Sequence, residues 1–194
     1  MKEADKMRAG QHYDPSDKEL IKMRAAARLL TEKFNQTSIF KLKKRTRILK
    51  SLLGECGKNA YIEPSFNCDY GSNIYIGKNF FANFGLVILD VAEVRIGNNC
   101  FIAPQVGIYT ATHPIDEQER NQRICYAKPI YIGDSCWIGG HATINPGVTL
   151  GNNVIVASGA VVTKSFGNNV IIAGNPAKII RQIGSSINSA HLAE

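Results

Sequence analysis

No apolar run in the chain approaches the ~20 residues that a membrane-spanning helix requires. The N-terminus is charged and lacks an apolar signal core, so the expected location is the cytoplasm, with no membrane partner. Cysteine is sparse and scattered. Cys56, Cys68, Cys100, Cys125 and Cys136 are odd in number and include no C-x-x-C pair, which argues against a disulfide framework or a zinc knuckle and for buried thiols. There is no G-x-S-x-G, no cysteine with a histidine near it in sequence, no P-loop and no G-x-G-x-x-G after a strand, so covalent catalysis and nucleotide hydrolysis lose support. Of His12, His113, His141 and His191, only His113 and His141 fall in the repetitive part of the chain, 28 residues apart, which argues against a three-histidine zinc site and for no metal.

What the chain does have is a period. Aliphatic residues stand at Ile132, Ile138, Ile144, Leu150, Val156 and Val162, every sixth position without a slip. A helix repeats its apolar face near 3.6 residues and a half-buried strand near 2, so a strict six predicts a solenoid of short strands and turns. Three flat faces close a coil of eighteen residues, with Ile132 above Leu150. The following positions, Gly133, Gly139, Asn145, Gly151, Ala157 and Thr163, are small or turn-forming, as a bending chain requires. The same texture begins near Tyr61, with Ile96, Ile102 and Ile108 in step and two extra residues between Ile88 and Ile96. The spacing predicts a mainly β parallel β-helix over 58–184, interrupted by a polar loop excursion at 109–129 and followed by a Ser-rich tail at 185–194.

Residues 1–57 form a helical appendage that holds the whole net charge of +7. Ser16-Asp17-Lys18-Glu19 has the form of a capping box, and Leu20, Met23, Ala27, Leu30 and Phe34 make one apolar stripe. A second helix is expected from about Ser38 to Glu55, with Leu42, Leu49, Leu52 and Leu53 inward and Lys41, Lys43, Lys44, Arg45, Arg47 and Lys50 outward. No base-reading motif accompanies that basic run, so it reads as a solvated face and nucleic acid is not expected as a partner. His113, in Thr112-His113-Pro114 at the base of the excursion, is placed to serve as a general base, whereas His141 reads as a surface residue.

Phe66-Asn67-Cys68-Asp69-Tyr70-Gly71, Asn73-Ile74-Tyr75-Ile76-Gly77, Phe80-Phe81-Ala82-Asn83-Phe84, Tyr109-Thr110-Ala111-Thr112-His113-Pro114, Ile144-Asn145-Pro146-Gly147-Val148 and Ala173-Gly174-Asn175-Pro176-Ala177-Lys178 resemble the maltose and galactoside O-acetyltransferases, from about residue 6 to about residue 183. The resemblance implies a left-handed coil, a homotrimer with sites between neighbouring solenoids, acetyl-CoA as cosubstrate and a sugar acceptor. It implies catalytic roles for His113 and Asn83. It also implies cofactor contacts from the Gly140 backbone, Ser158, Thr163, Lys164 and Arg181. Trp137 matches a tryptophan near the pantetheine end and reads equally as an aromatic capping the coil.

Around the acceptor the resemblance points to Ser72, Phe81, Asn83, Asp90 and Cys125, with Asp14 or Asp17. Val91 stands where some relatives have aspartate and Cys125 where a methionine can occur, which predicts a roomier pocket and broad use of glucosyl sugars, including maltose and glucose. Two other readings are a non-catalytic trimeric scaffold and a zinc hydratase of the carbonic anhydrase kind. The intact Thr-His-Pro loop with Asn83 argues against the first, and the missing histidine set against the second.

Overall fold

The computed structural model describes residues 1–184, so the tail expected over 185–194 lies outside the described residues. From Glu55 onward the chain winds as a parallel β-helix with three faces. The first face stacks Glu55–Cys56, Ile74–Ile76, Val94–Ile96, Ile130–Ile132 and Thr149–Leu150. The second stacks Tyr61–Ile62, Phe81–Ala82, Phe101–Ile102, Trp137–Ile138, Val154–Val156 and Val170–Ala173, onto which Lys178–Gln182 folds back antiparallel. The third stacks Phe66–Cys68, Leu86–Leu89, Gly107–Tyr109, Thr143–Ile144 and Val161–Val162. Ile132 pairs with Leu150, as an eighteen-residue coil predicts.

The hexad aliphatics fill the interior: Ile132, Ile138, Ile144, Leu150, Val156 and Val162 are each at most 3% exposed. Burial of one such side chain is worth ~1.5–3 kcal/mol, and stacking repeats that gain coil after coil. The glycines that follow have a different reason from the expected bend. A Cβ on Gly133 would stand 2.7 Å from the Gly151 backbone, and one on Gly139 2.6 Å from Ser158 N, so the next coil passes too close for any side chain.

Departures from eighteen residues collect at one edge, where the third face turns into the first. Ile76 pairs with Ile96 and Ile96 with Ile132, and the surplus residues lie in 90–93 and 110–129. The buried Asp90 carboxylate accepts from the N–H groups of Asp69 (3.0 Å), Tyr70 (2.9 Å) and Asn73 (3.3 Å), and the Thr110 hydroxyl accepts from Ala92 N–H (2.9 Å). Polar side chains thus replace the ladder where the coil is irregular.

The excursion is structured. Ala111–Thr112 pairs antiparallel with Tyr126–Ala127, with a short helix at Glu117–Asn121 between them, and Tyr13 bridges to Cys125 as a third strand. Tyr109, expected in the loop, still belongs to the third face. The N-terminal part contains three helices: α1 (Glu3–Arg8), which the sequence analysis missed, α2 (Lys18–Gln36) and α3 (Leu42–Leu52). Asp17, not Ser16, caps α2, accepting from Glu19 N–H (2.9 Å) and Leu20 N–H (3.2 Å).

The expected polarity of α3 is wrong at two places. Leu42 is exposed, and Arg45 is buried, donating to the carbonyls of Phe34 (3.2 Å), Thr37 (2.8 Å) and Ile62 (2.8 Å) with its guanidinium 4.0 Å from the Phe34 ring. Leu49, Leu52 and Leu53 join Ile62, Phe66 and Ile74 in one core, so α3 seals the N-terminal end of the solenoid. A second core, with Ala4, Met7, Tyr13, Leu20, Tyr70, Val91 and Ala127, joins α1 and α2 to the base of the excursion.

Candidate active site

His113 directly follows the first strand of the excursion ribbon and is exposed. Its Nδ1 lies 3.2 Å from the Ile124 carbonyl and 3.6 Å from Cys125 Sγ. A carbonyl can only accept, so Nδ1 carries the proton and Nε2 faces outward with its lone pair. The ribbon therefore fixes both the tautomer and the aim of the imidazole. The Arg120 guanidinium steadies the adjoining loop by donating to the Pro114 (3.1 Å) and Ile115 (2.7 Å) carbonyls. Cys125, twelve residues from His113 in sequence, becomes its neighbour in space, a pairing that sequence distance hid. Burial pushes its thiol up, so it stays protonated and offers no nucleophile.

Tyr13, Arg24 and Asp69, none of them marked by the sequence as site residues, gather around Tyr70 on the Cys125 side of the ribbon. The Arg24 guanidinium donates to the Tyr70 hydroxyl (2.7 Å) and the Pro15 carbonyl (2.6 Å). Burial pushes the Asp69 carboxyl up, while Arg24 and Arg28 pull it down. Burial also raises the buried Tyr13 hydroxyl, with smaller contributions from Tyr70 and Cys125. No spacing rule marks an arginine on the flank of one helix as the partner of a tyrosine 46 residues on.

The two N-terminal aspartates separate cleanly. Asp17 is committed to capping α2. Asp14, held by Ser16 N–H (2.8 Å) and Ser16 Oγ (2.6 Å), borders a cavity of about 300 Å³ with Tyr13, Arg123 and Ile124, next to the His113 ribbon. The serine bonds hold its carboxyl below the usual range.

Asp90 does not face a ligand: it is 0% exposed and spent on the turn at Tyr70–Asn73. Val91 is only 5% exposed, inside the second core, so its lack of a carboxylate cannot open a pocket. Ser72 borders a different cavity with Arg8, Asn73, Tyr75 and Glu93.

Asn83 sits on another edge, where the second face turns into the third. Its Oδ1 accepts from Phe84 N–H (2.8 Å), which leaves Nδ2 to donate outward. Phe81, Asn83, Phe101, Ile102, Ala103 and Trp137 line an apolar cavity of about 400 Å³. Gly140 and Ser158 lie on the same edge, two and three coils further along. Among the described residues, no backbone carbonyl accepts from the Gly140 N–H, although the neighbouring His141 and Gly159 N–H groups are engaged by Pro104 and Gly140 carbonyls. A column of outward residues, Phe81, Phe101, Trp137, Ile155 and Ile171, runs up the second face and ends at Arg181. Thr163 and Lys164 lie instead on the third-to-first edge, the one that carries the His113 ribbon.

The candidate residues thus fall into two groups on different parts of one prism. Asn83, Gly140 and Ser158 lie on the second-to-third edge, beside the second face that carries Trp137 and Arg181, whereas His113, Cys125, Thr163 and Lys164 lie on the third-to-first edge.

Residues 6–57 match the family described as the maltose acetyltransferase hexapeptide capping motif, and residues 129–164 match the bacterial transferase hexapeptide family. A Dictyostelium discoideum chain described as an acetyltransferase is 55% identical over 94% of this chain and 95% of its own. The structure of a maltose O-acetyltransferase from Clostridium difficile 630 superposes with a TM-score of 0.94 at 45% identity, covering 95% of this chain and 99% of that one. A galactoside acetyltransferase in complex with coenzyme A superposes with a TM-score of 0.91 at 39% identity, covering 95% and 92%.

Proposed function

Since the chain belongs to the hexapeptide-repeat acetyltransferases that include the maltose and galactoside O-acetyltransferases, we propose that it moves the acetyl group of acetyl-CoA directly onto a sugar hydroxyl, with His113 as the base. The acceptor O–H donates to Nε2, and the oxygen attacks the thioester carbonyl as the proton passes to His113. The carbonyl oxygen becomes an oxyanion, for which the free Gly140 N–H and the outward Asn83 Nδ2 are preorganised donors. Collapse of that intermediate breaks the C–S bond, and the CoA thiolate leaves, taking the proton back from His113. No step needs a covalent enzyme intermediate or a metal.

Because His113 and the Asn83–Gly140 edge cannot meet within one chain, the reading requires a second copy, and a homotrimer closes three equal contacts. The donor would lie along the second face, with its apolar arm on Trp137, Ile155 and Ile171. Its phosphates would meet Arg181, three strand steps or about 14 Å from Trp137. Lys164 of the neighbouring copy, with Thr163, would complete the groove. The coenzyme A bound to the galactoside acetyltransferase supports this donor. Asp14 and Arg24, beside the His113 ribbon, would orient the acceptor, with Cys125 lining it.

The observation that carries the proposal is the Nδ1 contact to Ile124, which leaves a base of defined tautomer facing out of the ribbon. Its test is release of thiol from acetyl-CoA against a panel of glucosyl and galactosyl sugars. His113→Ala should lower turnover by ~10²–10⁴ while acetyl-CoA still binds. Turnover equal to that of the unaltered protein would sink the mechanism.

A further inference from the structure

The turn that joins α2 to α3 has no part in the proposed chemistry, yet three observations converge on it. First, the turn and the start of α3 present apolar side chains to solvent: Phe40 is 89% exposed, Leu42 55% and Ile39 46%, and Leu29 of α2, on the cavity beside the turn, is 67% exposed. Second, residues 33–54 contain seven Lys and Arg and not one Asp or Glu. One of the seven, Arg45, is buried, and the other six are exposed. A cavity of about 420 Å³ beside the turn is bordered by Lys33, Lys41 and Lys44.

Third, the turn is braced. Arg45 donates to the Phe34 and Thr37 carbonyls before the turn and to the Ile62 carbonyl in the first coil, which ties the turn to the capped end of the solenoid. Phe40 is therefore held outward by the core rather than left loose. A large aromatic kept in water on a rigid turn gains nothing for folding.

From these observations we infer that the α2–α3 turn is a docking surface for an anionic lipid bilayer. Phe40, with Ile39 and Leu42, enters the boundary between headgroups and acyl chains, and the surrounding lysines meet the phosphates and carboxylates of the headgroups. The aliphatic residues favour this occupant over nucleic acid, which would use the cations and stack on the aromatic ring but leave Ile39, Leu42 and Leu29 in water. The surface lies at the α3-capped end of the prism and includes none of the residues of the proposed chemistry. It revises the expectation of no membrane partner only as to surface attachment, since no described helix is long and apolar enough to cross a bilayer. In the trimer proposed above three such turns would share one pole, and only that added avidity rests on the trimer reading.

The test is co-sedimentation of the full chain with vesicles of phosphatidylcholine, with and without phosphatidylserine. Binding should require phosphatidylserine and fall as salt is raised. Lys43→Glu with Lys44→Glu should lower partitioning roughly 30-fold, about fivefold per lysine, and Phe40→Ser at least about tenfold. Neither variant should change thiol release from acetyl-CoA, which shows that the fold is intact and keeps this result separate from the fate of the catalytic proposal. Equal binding to both vesicle types, or variants that bind like the unaltered protein, would overturn the inference. So would a change in sedimentation coefficient with Phe40→Ser, which would mean that another copy covers the turn. Capture of single-stranded RNA without vesicle binding would overturn it as well.

Discussion

In the proposed reaction His113 acts from one nitrogen because the Ile124 carbonyl occupies the other, and the proposed oxyanion donors are defined in the same way, by what the coil leaves unused. Asn83 illustrates the point: its oxygen is tied to Phe84 N–H, so only the amide hydrogens can face a reacting group. Asn83→Ala should therefore lower kcat by ~10²–10³ with little change in the KM for acetyl-CoA, as measured by steady-state kinetics. Asp90 is the contrasting residue, a carboxylate whose role is internal. Burial outweighs its three N–H partners and pushes its pKa up to about 7, above the ordinary 3.8. The folded state then binds the extra proton between these values, so stability should fall as pH rises from about 4 to about 7 and level off above. Urea unfolding across this range should show that slope, and Asp90→Asn should flatten it.

At the scale of elements, the helices and the excursion are held by polar contacts between segments far apart in the chain. Arg45 is the clearest case, since one guanidinium closes α2, orders the turn to α3 and fastens both to the first coil. Hydrogen bonds from a charged donor are worth ~1.5–3 kcal/mol each at best and are not additive, so Arg45→Ala should cost roughly 2–4 kcal/mol in urea unfolding. An exposed cation of the same helix, such as Lys43, should cost less than about 0.5 kcal/mol when replaced by Ala. The ribbon at 111–127 is likewise dependent on a distant strand, because Tyr13 N–H donates to the Cys125 carbonyl (3.2 Å) beside His113. The N-terminal segment thereby supports the His113 ribbon without contributing to the solenoid.

For the whole molecule the decisive feature is that one prism carries His113 and Asn83 on different edges, so the proposed site is incomplete in a single copy. If the His113 edge of one copy completes the Asn83 edge of the next, inactive His113→Ala and Asn83→Ala chains should complement each other. Random mixing pairs an intact Asn83 edge with an intact His113 edge at one contact in four, so roughly a quarter of full activity should return after co-refolding. A mixture as inactive as its parents would place both residues in a site within one chain. An active monomer in sedimentation would have the same consequence.

The hexads alone determined the solenoid, the Ile132–Leu150 register, the point where the coil is interrupted and the position of His113 at that interruption. These were legible because the same burial requirement recurs every sixth residue, so each coil repeats the information of the last. Spacing does not fix the hand of the coil, which only the resemblance implied. The tertiary structure decided what each polar side chain is for. It assigned Asp17 to a helix cap and left Asp14 beside the ribbon, took Asp90 and Val91 out of any pocket, put Arg45 inside, and set Cys125 beside His113 and Arg24 on Tyr70. It also separated His113 from Asn83 by placing them on different edges. The reason is physical: an aliphatic residue needs only a buried position, which a local pattern specifies, whereas a carboxylate, amide or guanidinium takes its role from partners that the fold brings from distant parts of the chain.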